Sequence, residues 1–133
     1  MRWTVLASAV VAVAALAVAL ALFAVEQDRD RCTEASSAAF NASRGPIPAL
    51  ERAADRVIAD CSGSEPLTRI SVGLLVLDRA GPALKLARAA ARREPGNYAA
   101  WAVLAAAAPP QEARAAGVRA NSLNPLAARD DGP

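Results

Sequence analysis

From Trp3 to Val25 the chain runs through 23 positions without a charge, a proline or a glycine. As a helix rising about 1.5 Å per residue, this run covers about 34 Å, enough for a hydrocarbon core of ~30 Å. The pattern predicts a single N-terminal transmembrane helix, with residues 1–25 as the anchor. After Val25 the polar residues return, and apolar positions recur at helical spacing. Cys32, Ala35, Ala39 and Phe40 mark one amphipathic helix; Leu50, Ala53, Ala54, Val57, Ile58 and Cys61 mark a second. Between them, Ser43 to Pro48 holds the breakers Gly45 and Pro46, and the second helix is expected to start near Pro48. Residues 26–63 thus read as a helical hairpin. The segment 126–133 shows no apolar periodicity and is expected to be a disordered tail.

The remaining stretch, 64–125, repeats itself. Pro95 and Pro125 each close an Ala-rich helix. Counting back from Pro95, Ala90, Ala87 and Ala83 stand at the same distances as Ala120, Gly117 and Ala113 stand from Pro125. Upstream, Leu67, Ile70, Ser71 and Leu74 precede the first set, and Trp101, Leu104 and Ala105 precede the second. Small residues recur where two helices must touch.

This pattern resembles the tetratricopeptide repeat: a large apolar residue or Trp, then Leu and a small residue, later Ala, an aromatic, and Pro. Leu67 and Trp101 look like the opening large residue, Ile70 and Leu104 the Leu, and Ser71 and Ala105 the small residue after it. Leu74 stands at the first-helix aromatic position. Ala83 and Ala113 look like the small residue that opens the second helix, Ala87 and Gly117 occupy its aromatic site, and Ala90 and Ala120 its last small site. Neither unit has the second-helix aromatic. The later unit is also shorter, with the missing turn falling at Pro109-Pro110; Pro110 suits the first turn of a helix, so a truncated first helix is expected there. A fainter echo precedes both units, since Phe40, Ala49, Ala53 and Cys61 lie 34 positions before Leu74, Ala83, Ala87 and Pro95. The hairpin 26–63 thus reads as a diverged first unit, which fits the need of about three stacked units for a stable array. The expected fold is all-α: one N-terminal transmembrane helix followed by a short array of helical hairpins.

Composition sharpens this picture. Ala runs from Ala87 to Ala91 and from Ala105 to Ala108 favour helix, and with aromatics at only 4% the core must be built from small aliphatic side chains. With Arg2 set aside, 14 basic residues face 13 acidic ones, so nothing points to nucleic acid. The two cysteines, Cys32 and Cys61, have no His and no further Cys with which to hold a metal. Antiparallel packing of the hairpin brings both to the anchor-proximal end on inward faces. A disulfide there would close a loop of about 30 residues and stabilise the domain by ~3–4 kcal/mol in an oxidising compartment; the alternative is a pair of buried free thiols.

Basic residues flank the apolar run almost evenly, Arg2 on one side and Arg29 and Arg31 on the other, so the positive-inside count is near a tie. The signal-anchor arrangement and the cysteines favour an extracytoplasmic domain. A cleavable signal peptide has an apolar region of only about 7–15 residues. Cleavage near Ala19-Leu20-Ala21 would nonetheless release a secreted soluble adaptor.

Function follows by elimination and by resemblance. Without His, a Gly-rich phosphate loop or clustered carboxylates, the chain reads as non-enzymatic, with no cofactor. Tetratricopeptide arrays hold a peptide or partner helix on the concave surface lined by each unit's first helix. Carried onto this chain, the groove positions are Thr68, Arg69, Val72 and Leu75, with Asn97, Ala100 and Val103 in the later unit. Asn97 is equally placed to cap a helix beginning beside Gly96. The expected role is a membrane-tethered adaptor for a protein or peptide ligand. The alternative is an assembly subunit recognised through its transmembrane helix, where Ala7, Ala14 and Ala21, with Ser8 and Ala15, offer a small-residue seam.

Overall fold

A computed structural model describes the backbone of residues 2–126 and the side chains of residues 13–126. The described residues are all-helical, with six helices: α1 (Arg2–Ala42), α2 (Ile47–Asp60), α3 (Glu65–Val76), α4 (Ala80–Arg93), α5 (Tyr98–Ala107) and α6 (Pro110–Leu123). Proline punctuates most of the boundaries. Pro48, Pro66 and Pro110 sit in the first turns of α2, α3 and α6, where a missing N–H costs nothing. Pro95 and Pro125 follow the C-caps of α4 and α6, whose backbone they hold out of the helical region. The α3–α4 turn closes on Asp78 in the left-handed region (φ 57°), with Asp78 N–H and Arg79 N–H donating back to Leu75 O and Leu74 O.

The helices pack as three antiparallel pairs, α1 with α2, α3 with α4 and α5 with α6, stacked in chain order. First helices meet first helices (α1 on α3, α3 on α5), while α2 and α4 meet along the other side. α5, at 10 residues, is shorter than the 12-residue α3. The core runs through all three pairs and, among the described residues, contains no fully buried aromatic: Leu50, Val57, Leu67, Leu74, Leu86 and Leu104 are its large members, and alanines fill the spaces between them. Alanine-lined contacts bring helix backbones close and leave little slack.

Only the last turns of α1 join this core, through Cys32, Ala35, Ala39 and Ala42. From residue 13 to Arg31 every α1 side chain is exposed, including Leu16, Leu20, Leu22 and Phe23. Among the described residues no helix is long and apolar enough to cross a membrane. The side chains of residues 3–12, nearly half of the run assigned to the anchor, lie outside the described residues, as does the expected tail beyond Leu126.

A disulfide joins Cys32 to Cys61, with the Cα atoms 4.5 Å apart. It sits where α1 leaves the packed hairpins and α2 ends. Arg93 reinforces the same point from α4: its guanidinium donates to the carbonyls of Ile58, Cys61 and Gly63, satisfying the C-terminus of α2.

Phe40 departs from its expected inward position and is 73% exposed. The reason is register. The buried set of α1 (Cys32, Ala35, Ala39) matches that of α3 (Leu67, Ile70, Leu74) at a spacing of 35, whereas Leu50, Ala53, Ala54 and Val57 match Ala83, Leu86, Ala87 and Ala90 at 33. The α1–α2 turn, residues 43–46, is longer than the α3–α4 turn, residues 77–79, and α1 also runs further past Ala39 than α3 runs past Leu74; together these make up the difference. A uniform spacing of 34 therefore equates Phe40 with the buried Leu74, when Ala39 is its counterpart.

Candidate functional site

The stacking of α3 beside the end of α1 leaves an open groove of about 730 Å³ between them. Its floor and walls include Ala39 and Phe40 from α1 and Ile70, Gly73, Val76 and Leu77 from α3 and its end. Phe40 and Val76, 81% exposed, project from the two walls, and Leu77 adds a partly exposed edge. Gly73 contributes no side chain, which keeps the floor open. Ser36, Ser37 and Asn41 give the α1 wall hydrogen-bonding groups, while Arg44 and Arg69 stand at the rim.

The relative position of α3 and α5 is set by a polar node. Ser64, fully buried just before α3, donates its backbone N–H to Glu94 Oε1 at 2.8 Å. Asn97 Nδ2 donates to Ser64 Oγ (3.0 Å) and to Glu94 Oε2 (3.1 Å), and Asn97 Oδ1 accepts from Ala99 N–H (3.0 Å), capping α5. Hydrogen bonds from Ser64, first its side chain and then its backbone, and from Asn97 hold the Glu94 carboxyl below its ordinary value of 4.5. A depressed carboxyl pKa contributes stability that is present in full above the ordinary value and is lost as the pH falls through the folded value. Glu94→Gln is therefore expected to lower the urea midpoint at neutral pH, and the gap to the parent should shrink as the pH falls below about 4.5. An unchanging gap down to pH 3 would rule out this role for Glu94.

Two further ties join the second helices across the opposite side. Lys85 reaches Asp55 at 2.5 Å, and Arg88 forks onto Glu112 at 2.8 and 2.5 Å. The Arg88 pairing holds the Glu112 carboxyl below its ordinary value.

The repeat positions occupy distinct places. Leu67, Ser71, Leu74, Ala83, Ala87, Ala90, Leu104 and Ala120 are buried. Ile70, Trp101 and Ala105 pack against the core from its edge, Ala113 and Gly117 are half-buried, and Pro95 and Pro125 are exposed beyond the helix ends. Ser71 donates its hydroxyl to Ala83 O at 2.8 Å, which locks α3 to α4. Trp101 donates its indole N–H to Pro95 O at 2.9 Å.

Of the residues assigned to a groove, Arg69 lines the one between α1 and α3, and Val72 is partly exposed one position short of Gly73. Thr68 donates to Ser64 O, and Leu75 and Val103 pack against the core. Ala100 is fully buried, because α5 turns this face toward the core. Asn97 spends its amide within the fold, as cap and node. The groove residues that the sequence did not assign are Phe40 and Arg44, from α1 and the turn after it, and Gly73, Val76 and Leu77, from α3 and its end. Their only signal was the pair of large apolar residues at the end of α3, Val76 and Leu77, beyond the last core position. Compared with known proteins, the chain matches no family model, no curated protein and no solved structure.

Proposed function

We propose that the protein is a membrane-tethered, tetratricopeptide-like adaptor that holds a segment of another protein in the groove between α1 and α3, on the extracytoplasmic side. The observation that carries this reading is the exposure of Phe40 and Val76 across an apolar groove on the first-helix side of the stack. Contiguous exposed apolar surface of this kind marks interaction sites. Stacked helical pairs whose first helices line one side supply the surface on which the family resemblance puts a ligand.

The tether is supported by the uncharged run from Trp3 to Val25 and by the exposed apolar side chains of its described half, which point all round the helix rather than to one face. A helix that is apolar all round belongs in a core or a bilayer. The extracytoplasmic side is supported by the paired cysteines, since such bonds persist in oxidising compartments.

The test places a photo-crosslinking residue at Phe40 or Val76 in cells, with the native anchor and with an unrelated transmembrane helix in its place. A crosslinked partner retained after the swap supports the groove. A partner lost on the swap overturns it in favour of assembly through the anchor. Intact mass of the native protein separates the tethered form from a secreted one: a mature start near residues 22–27 would rule out the tether.

A further inference from the structure

Charge at the groove narrows what it holds. Among the residues that line it, the charged ones are Arg44 and Arg69, with no carboxylate between them. Arg44 is exposed on the turn after α1. Arg69 lies 3.6 Å from Glu65, one turn back along α3, and both side chains are largely exposed (71% and 82%), so water screens the pair and leaves the guanidinium available. The packed domain as a whole is nearly neutral, so this local excess is a property of the groove. Its polar wall adds Ser36, Ser37 and Asn41, neutral groups that accept and donate hydrogen bonds without offsetting the charge.

The dimensions limit the occupant to a short segment. From Arg69 to Leu77 the α3 wall advances eight residues, about 12 Å of helix. That length accommodates about four residues of extended chain or two turns of helix. A volume of about 730 Å³ takes a few side chains and no more.

Resting on the adaptor reading above, we infer that the groove selects a short protein segment in which large apolar side chains are flanked by acidic residues. The apolar side chains lie between Phe40 and Val76 and the carboxylates meet Arg44 and Arg69. Arginine suits this task, since its planar fork pairs with a carboxylate through two parallel hydrogen bonds. Exposed pairs of this kind contribute little each, so the apolar contacts supply affinity and the arginines supply preference.

The full chain, carried in nanodiscs of neutral lipid, is panned with a displayed library of random octapeptides. Winning sequences are then resynthesised with Asp or Lys flanks for fluorescence anisotropy. Enrichment of apolar centres with Asp or Glu flanks is expected, and the Asp-flanked peptide should bind about tenfold more tightly than its Lys-flanked twin. Arg44→Glu with Arg69→Glu should reverse that order, and raising the salt from 0.05 to 0.5 M should shrink it. Circular dichroism checks the folding of the double variant, in which both changed residues are exposed. Binding without a charge preference that is lost in Val76→Lys would overturn the acidic-segment inference and leave the groove reading standing. Peptides that bind regardless of Val76→Lys would overturn both. Dimerisation through Phe40, seen as a concentration-dependent crosslink, would make a second copy the occupant and overturn the inference, as would binding only to anionic vesicles.

Discussion

Replacing Cys32 and Cys61 together with alanine is expected to lower the unfolding free energy by about 3.5 kcal/mol, because the bond closes a loop with a sequence separation of 29. For a domain of this size that is a large share of a total that ordinarily lies between about 5 and 15 kcal/mol. The effect should be read as a urea midpoint, followed by far-ultraviolet circular dichroism, with the parent in the presence and absence of dithiothreitol. Reduced parent and double variant should coincide. The location of the bond explains why little else compensates for its loss. Only the last turns of α1 touch the core, through Cys32, Ala35, Ala39 and Ala42, and three of these four are alanines. Without the cross-link, the remaining contact of α1 with the stack is mostly methyl on methyl. A loss below about 1 kcal/mol would mean that the denatured chain already holds these two segments together.

Leu86→Ala is the second large expected effect, a loss of about 3–4 kcal/mol. Leu86 is fully buried on α4, the helix that touches α2, α3 and α5. Ala83, Ala87 and Ala90 beside it on α4 are fully buried as well, and Ala53 and Ala54 of α2 belong to the same core cluster. Alanines have no side-chain freedom with which to move into a void, so the cavity stays open and the cost stays above the low end of the range for such truncations. Val118→Ala on the exposed side of α6 is the control and should change stability by less than about 0.5 kcal/mol. Equal effects at the two sites would show that the alanine-rich core can collapse after all.

Much of the helical plan was readable because its punctuation is chemical. Pro48, Pro95, Pro110 and Pro125 act through their own rings, whatever the tertiary surroundings, and they mark helix ends in the structure as they do in the sequence. The cysteine pair was readable for a related reason: an antiparallel hairpin with a known turn fixes which residues face each other. The groove was harder to read. Helical periodicity says which residues share a face, yet Phe40 and Ala39 are one position apart, and a register set by a constant repeat length exchanges them. The longer end of α1 and the longer turn after it, where Arg79 Nε–H donates to Ser43 O at 3.1 Å, separate the buried neighbour from the exposed one. Ala100 was unreadable for the opposite reason, since α5 holds no charged residue on any face and so carries little polarity from which to tell inside from outside. Charge at the groove escaped notice because Arg44 lies in a turn and Arg69 on a helix, brought to one rim only by packing.

The passage from the exposed run of α1 into the first hairpin is a single unbroken helix, with no loop between Val25 and Cys32. The groove is therefore geared to the shaft that carries it. Each residue added to that stretch would swing the groove through about 100° around the helix axis and carry it about 1.5 Å farther out. Seven residues would return it nearly to its original bearing, about 10 Å farther along. On the tethered-adaptor reading proposed above, a partner anchored in the same bilayer would meet the groove only at matching phase and height, and the spacing between Val25 and Cys32 would then select among partners.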